Sequence, residues 1–208
     1  MAQGDGGAAE AEAAGDDGSR PEAVVAFWLE EVGPQGWYAV DPTLDERVRA
    51  RFAPLWNRAL EGRLDRWLCG PEGTLAYLLL TDQFPRNMWR DRAEAFASDR
   101  AALRAAKAAI DRDWDLRIPE PARQFFYLPL MHSEHLADQD RCVRLILTRM
   151  PETGASNLLH AKAHREVIRR FGRFPHRNAA LGRSDTPAEA AFLAAGGYGA
   201  VVREMQSE

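Results

Sequence analysis

Gly70-Pro71-Glu72-Gly73-Thr74-Leu75-Ala76-Tyr77-Leu78-Leu79-Leu80-Thr81-Asp82-Gln83-Phe84-Pro85-Arg86-Asn87 is the stretch on which the fold turns. Gly-Pro-Glu opens a helix, because Pro in a first turn gives up no hydrogen bond and an acid suits the positive end of the dipole. Leu75, Ala76, Leu78, Leu79 and Leu80 then make the helix apolar all round, and such a helix is buried. It should end in Thr81-Asp82-Gln83, where Pro85 lacks an amide hydrogen and is expected to break or redirect the chain. The closing phrase, Phe84-Pro85-Arg86-Asn87, returns as Phe174-Pro175-His176-Arg177-Asn178, again behind a helical stretch. Two corners of one kind are expected to aim Arg and Asn groups at a common pocket.

Outward from this stretch, helix signals recur. Ser19-Arg20-Pro21-Glu22 reads as a capping box opening a helix with Val24, Val25, Phe27, Trp28 and Val32, which stops near Gly33-Pro34. Asp41-Pro42 opens a second, bent at Pro54 and closed by Gly62. Asp91-Arg92-Ala93-Glu94 is expected to cap a helix to about Ile110, and Pro119-Glu120-Pro121 a short one that stops before Pro129. Ser133-Glu134 begins a long helix in which Leu136, Val143, Ile146, Leu147 and Met150 recur at helical spacing. Residues 156–171 form another, closed by Gly172. Thr186-Pro187-Ala188-Glu189 is a capping box for a last helix ended by Gly196-Gly197. No alternating β-branched run appears. The fold class is therefore all-α: about eight to nine helices in antiparallel pairs, as a helical array or compact bundle.

The chain has 208 residues, 46% of them hydrophobic, enough for one globular domain with a sizeable core. Residues 1–18 are almost wholly Ala, Gly, Asp and Glu and read as a disordered acidic tail. The single domain is expected over 19–197, with a short tail over 198–208. Five of the 31 acidic residues fall in the first twenty positions against one of the 27 basic ones, so the remainder is neutral. That argues against nucleic acid as a partner. No apolar run approaches the roughly 18 residues of a membrane span, so no membrane partner is expected and the default location is cytoplasmic. Cys69 and Cys142 read as two small buried apolar residues.

Three phrases carry a resemblance. Leu79-Leu80-Thr81-Asp82-Gln83-Phe84-Pro85-Arg86-Asn87, Leu128-Pro129-Leu130-Met131-His132-Ser133-Glu134 and Phe171-Gly172-Arg173-Phe174-Pro175-His176-Arg177-Asn178 resemble a bacterial family labelled domain of unknown function 924. Phe27-Trp28, Trp37, Ala137-Asp138-Gln139 and Leu181-Gly182-Arg183 fit the same pattern, over about residues 22–193. The resemblance implies a helical fold similar to tetratricopeptide repeats and implies no activity. His135 departs from the family's usual Asp.

The same phrases hold the candidate site. A polar group buried without a partner costs ~1–3 kcal/mol, so these groups pair with each other, pair with a ligand, or face water. Proton chemistry falls to His132 and His176, steered by Asp82 or Glu134. Anion holding falls to Arg86, Arg173 and Arg177, since a guanidinium suits carboxylate and phosphate. Gln83, Asn87, His164 and Asn178 complete the ligand-binding set. An ion-pair lattice of Arg86–Asp82 and Arg177–Glu134 is the structural alternative.

His160 and His164 share one side of a helix, but Ala161 replaces the Glu of a metalloprotease helix, so no local motif makes them metal ligands. A site drawn from His132, His160, His164, His176 and a carboxylate ranks last. Glycine-rich nucleotide loops, a serine-hydrolase elbow and Cys-x-x-Cys pairs are absent, and no cofactor is indicated. The leading expectation is a helical protein with a polar pocket for a small anionic molecule, with catalysis open. The competing one is a scaffold whose groove, lined by Trp37, Tyr38, Trp89 or Trp114, grips a peptide or protein partner.

Overall fold

A computed structural model describes residues 20–207. The acidic tail and the Ser19 cap lie outside the described residues. Every regular element among the described residues is helical, as the sequence indicates. Besides a short α-helical turn at Gly33–Gly36, the α-helices are α1 (Pro21–Ala26), α2 (Pro42–Leu60), α3 (Pro71–Leu78), α4 (Phe84–Met88), α5 (Asp99–Ile110), α6 (Leu128–Met131), α7 (Leu136–Arg149), α8 (Ala155–Phe171), α9 (Pro187–Ala194) and α10 (Gly197–Gln206).

The Pro and Gly signals hold where a helix starts on a polar cap or stops on a left-handed glycine. Asp41 accepts from the Thr43 amide at 2.8 Å and opens α2. Gly172, at φ 68°, closes α8, and its amide donates to the Ile168 carbonyl. Thr186 and Glu189 form the reciprocal capping box of α9. Thr186→Ala should cost about 1 kcal/mol, read from chemical denaturation.

The decisive stretch differs from expectation at its end. Pro85 does not break the helix. Residues Leu79–Gln83 widen into a π-turn, and the chain continues into α4 without a gap. The Phe84 amide donates five residues back, to Leu79. Pro85 has no N–H to offer the Thr81 carbonyl. The Ser98 hydroxyl donates to that carbonyl instead, at 2.6 Å. Ser98 also accepts from Trp56 Nε1 at 3.0 Å, so it braces Thr81 instead of capping α5. The second Phe-Pro corner does follow a helix end, beyond Gly172, and forms a single 3-10 turn over Pro175–Arg177. The two phrases are alike in sequence and unlike in structure.

Other limits move for local reasons. Residues 93–96 form a separate 3-10 turn and α5 starts only at Asp99. Residues 122–126 are likewise 3-10, and Pro129 lies in the first turn of α6 instead of stopping a helix. Ser133 does not begin α7, which starts at Leu136; its hydroxyl donates to Asp138 at 2.8 Å. The segment after Gly196, expected to be a tail, is α10, and Val201 buries it against α8. Cys69 is exposed while Cys142 is buried.

One large core runs from Val24 to Ala161, built on Phe27, Trp28, Phe52 and Phe84. A smaller core joins α8, α10 and the second corner through Ala163, Val167, Ile168, Phe174 and Val201. Phe174 of the smaller core packs against two candidate groups, His164 and Arg177.

Candidate functional site

Asp82 sits in the π-turn and is 1% exposed. A π-turn adds a residue to the helical turn and re-aims the side chains it carries, a device frequent at functional sites. Here it points Asp82 across to the residue that ends α6. His132 Nδ1 lies 2.8 Å and 3.0 Å from the two Asp82 carboxylate oxygens. Gln83 Nε2 donates to the same carboxylate at 2.6 Å. Arg86 Nη1 approaches it at 3.6 Å and donates to the Asp82 backbone carbonyl. Burial works against this charge, but Arg86 and His132 outweigh it and hold the carboxyl below its usual range.

An ionised carboxylate only accepts, so Nδ1 of His132 carries its proton and Nε2 keeps a lone pair. Burial, then the Arg86 charge, pushes His132 below its ordinary value. It is a neutral imidazole, oriented by a buried acid.

His164 reaches the same place from α8. Its Nδ1 donates to the His160 carbonyl at 2.8 Å, and its ring lies 6.3 Å from that of His132. Burial, then His132, pushes its pKa down to about 3. His160 Nδ1 meets the Tyr198 hydroxyl at 2.5 Å. Neither histidine of this pair finds a carboxylate among the described residues. His132, His160, His164, Tyr38, Asn157 and Tyr198 line a cavity of about 290 Å³, with Leu128 and Met131 forming apolar wall.

This predicts an acid-labile fold. His164 binds a proton near pH 6.5 when unfolded and near pH 3 when folded, so the unfolded state takes up more protons between those values. Stability is fully present above pH 6.5 and falls as pH drops below it. A melting series should decline down to about pH 5, above the range of ordinary carboxylates. His164→Gln should make that limb shallower, with His132, His160 and His176, also lowered, carrying the rest.

The two corners meet on a residue that the sequence did not mark. Asp99, at the start of α5, accepts from Arg86 Nη2 at 3.0 Å and from Arg177 Nη1 at 3.3 Å. The expected Arg177–Glu134 pair is not formed. Glu134 instead holds Arg183 at 2.8 Å and 3.0 Å and accepts the Phe174 amide at 2.8 Å. It pins the second corner and does not steer His132; Asp82 does.

Four expected site residues turn elsewhere. Asn87 donates to Asp45 at 2.8 Å, beside Arg90. Arg173 makes paired bonds to Glu189 at 2.6 Å and 2.7 Å. Asn178 donates to Asp185 at 2.6 Å and accepts from Arg183 at 2.9 Å. His176 is exposed, with its ring 5.6 Å from Phe174. Trp37, expected for a scaffold groove, is buried and donates to the Trp28 carbonyl at 2.8 Å. Among the described residues, no three His, Cys, Asp or Glu side chains gather as a metal-ligand set.

Tyr198, Asn157, Leu128 and Met131 were missed as cavity lining. The His160/His164 spacing and Tyr38, named for a groove, pointed toward that face. No motif announces Tyr198, which arrives from α10.

No helix among the described residues is long and apolar enough to cross a membrane. No curated protein matches the chain. Among solved structures, it is similar to a protein of unknown function, ATU0120, from Agrobacterium tumefaciens. The identity is 40%, the TM-score 0.79, and the match covers 86% of this chain and 98% of that one. The family model described as "Bacterial protein of unknown function (DUF924)" matches residues 24–197. With its Asp82 phrase, His132 phrase and second Phe-Pro corner all inside that match, the chain belongs to the DUF924 family.

Proposed function

We propose that the protein binds a small, largely apolar molecule in the 290 Å³ cavity and that His132, held by Asp82, accepts a proton from it or from water beside it. The observation that carries this is His132, held from behind by buried Asp82, on the wall of a cavity whose remaining lining is mostly rings and aliphatic chains with Ser156 and Asn157. A base whose tautomer is fixed by a buried carboxylate meets two conditions of general base catalysis, geometry and a free lone pair. Gln83 supports the pair through Asp82, and His164 offers a second neutral ring across the cavity. Arg86 is matched by Asp82 and Asp99, and Arg173 by Glu189, so neither supports the anionic part of the sequence expectation.

The test uses phenol and indole as probes and histidine ring signals as the readout. Saturable shifts at His132 and His164, lost when Leu128→Trp fills the cavity, are the expected result. Probes that leave both rings unmoved would remove the proposal. Of the reactions open to such a pair, those that begin by taking a proton from an O–H, N–H or C–H group fit best. His132→Gln should abolish any such turnover and keep the fold.

A further inference from the structure

Arg177 differs from every other arginine around the second corner. It is 6% exposed, and its guanidinium lies 4.7 Å and 4.5 Å from the ring centres of Phe96 and Phe174. Among the described residues its only side-chain hydrogen bond is the long one to Asp99, and its Nε is buried with no partner. Its neighbours are saturated: Arg173 is doubly bonded to Glu189, and Arg183 to Glu134. Burial, then the Arg86 charge, lowers its pKa to about 10. A buried cation with idle donors is costly unless something else meets them.

Beside it is a second cavity, of about 210 Å³, on which Arg177, Arg100, His132, Ser133, Asp99 and Glu134 all border. Its two carboxylates are already engaged, Asp99 with two arginines and Glu134 with Arg183 and the Phe174 amide. Arg100 is exposed and makes no ion pair among the described residues. We propose that this cavity holds a small oxyanion, a carboxylate or a phosphate, on Arg177, with Arg100 at the mouth. The anion would meet the Nη side of the guanidinium, because Nε itself is closed to solvent, and the Phe96 and Phe174 rings keep the group from swinging away. The site shares only His132 with the larger cavity and does not depend on proton transfer there.

The test compares acetate, inorganic phosphate and chloride at matched ionic strength, read at the Arg177 Nε–Hε signal and in the melting temperature. A saturable shift and a raised melting temperature with acetate or phosphate, but not chloride, are expected. A response to acetate alone assigns a carboxylate, and to phosphate alone a phosphate. Arg100→Gln should weaken binding about tenfold, the loss of one charge-assisted contact. Arg177→Met should abolish the response and, in chloride, melt at or above the parent temperature, because an apolar chain then replaces an undercompensated charge between two rings. Arg177→Met should still bind phenol in the larger cavity, so the two proposals fail separately. No saturable response in the parent protein, or one that survives Arg177→Met, overturns the site.

Discussion

Asp82→Ala is expected to destabilise the protein by about 3–5 kcal/mol, the cost of removing one partner from a buried ionic network. The carboxylate is 1% exposed and receives Gln83, His132 and Arg86. Its loss strands two buried donors and leaves Arg86 and Arg177 with Asp99 alone. Asp82→Asn should cost less, because an amide oxygen still accepts from His132, yet the site would carry an extra positive charge. That charge would push His132 further below its ordinary value. Urea denaturation gives the stabilities and a histidine titration the pKa. A cost within about 0.5 kcal/mol, the range of ordinary surface substitutions, would mean that the network does not organise this region.

Phe174→Ala should have an effect of similar size, about 3–5 kcal/mol for a buried Phe cut to Ala. The ring is fully buried in the smaller core. It lies 5.4 Å from the His164 ring and is one of the two faces against Arg177. Truncation therefore loses packing and also frees both site residues. Histidine and arginine side-chain spectra of the variant should show His164 and Arg177 moved or broadened. Phe84 occupies the same place in the first phrase, but it packs on Phe27, Trp28 and Phe52 in the larger core. Phe84→Ala should be comparably costly for that different reason. A Phe174→Ala protein with parental stability and unmoved His164 and Arg177 signals would contradict this packing scheme.

Much of the fold was legible because helix ends depend on local chemistry. Asp41-Pro42, Gly172 and the Thr186–Glu189 box act through backbone groups a few residues away, and each does so in the structure. The first Phe-Pro phrase departs from its local signal for a non-local reason. Pro85 is tolerated because a hydroxyl from Ser98 serves the Thr81 carbonyl, and nothing near Pro85 in the chain announces Ser98. Gly196-Gly197 does end α9, as left-handed glycines do; what no local signal announces is that the chain turns through them and starts α10.

The site was legible in part. Asp82, Gln83, Arg86, His132, His164 and Arg177 do gather, around one acid–imidazole pair and one shared aspartate. Arg173 and Asn178, in the same phrase as Arg177, leave because Glu189 and Asp185 come from later segments to meet them. Adjacent arginines look identical in sequence, and only the fold decides which one receives a matched carboxylate.

The most direct measurement is a long-range nitrogen–proton spectrum of the histidine rings at neutral pH, with His132 assigned by its loss in His132→Gln. The arrangement requires His132 to be neutral, with its proton on Nδ1 and a bare Nε2. A proton on Nε2, or an imidazolium at neutral pH, would mean that Asp82 does not set up His132 as a base, and the proposed chemistry would have no centre.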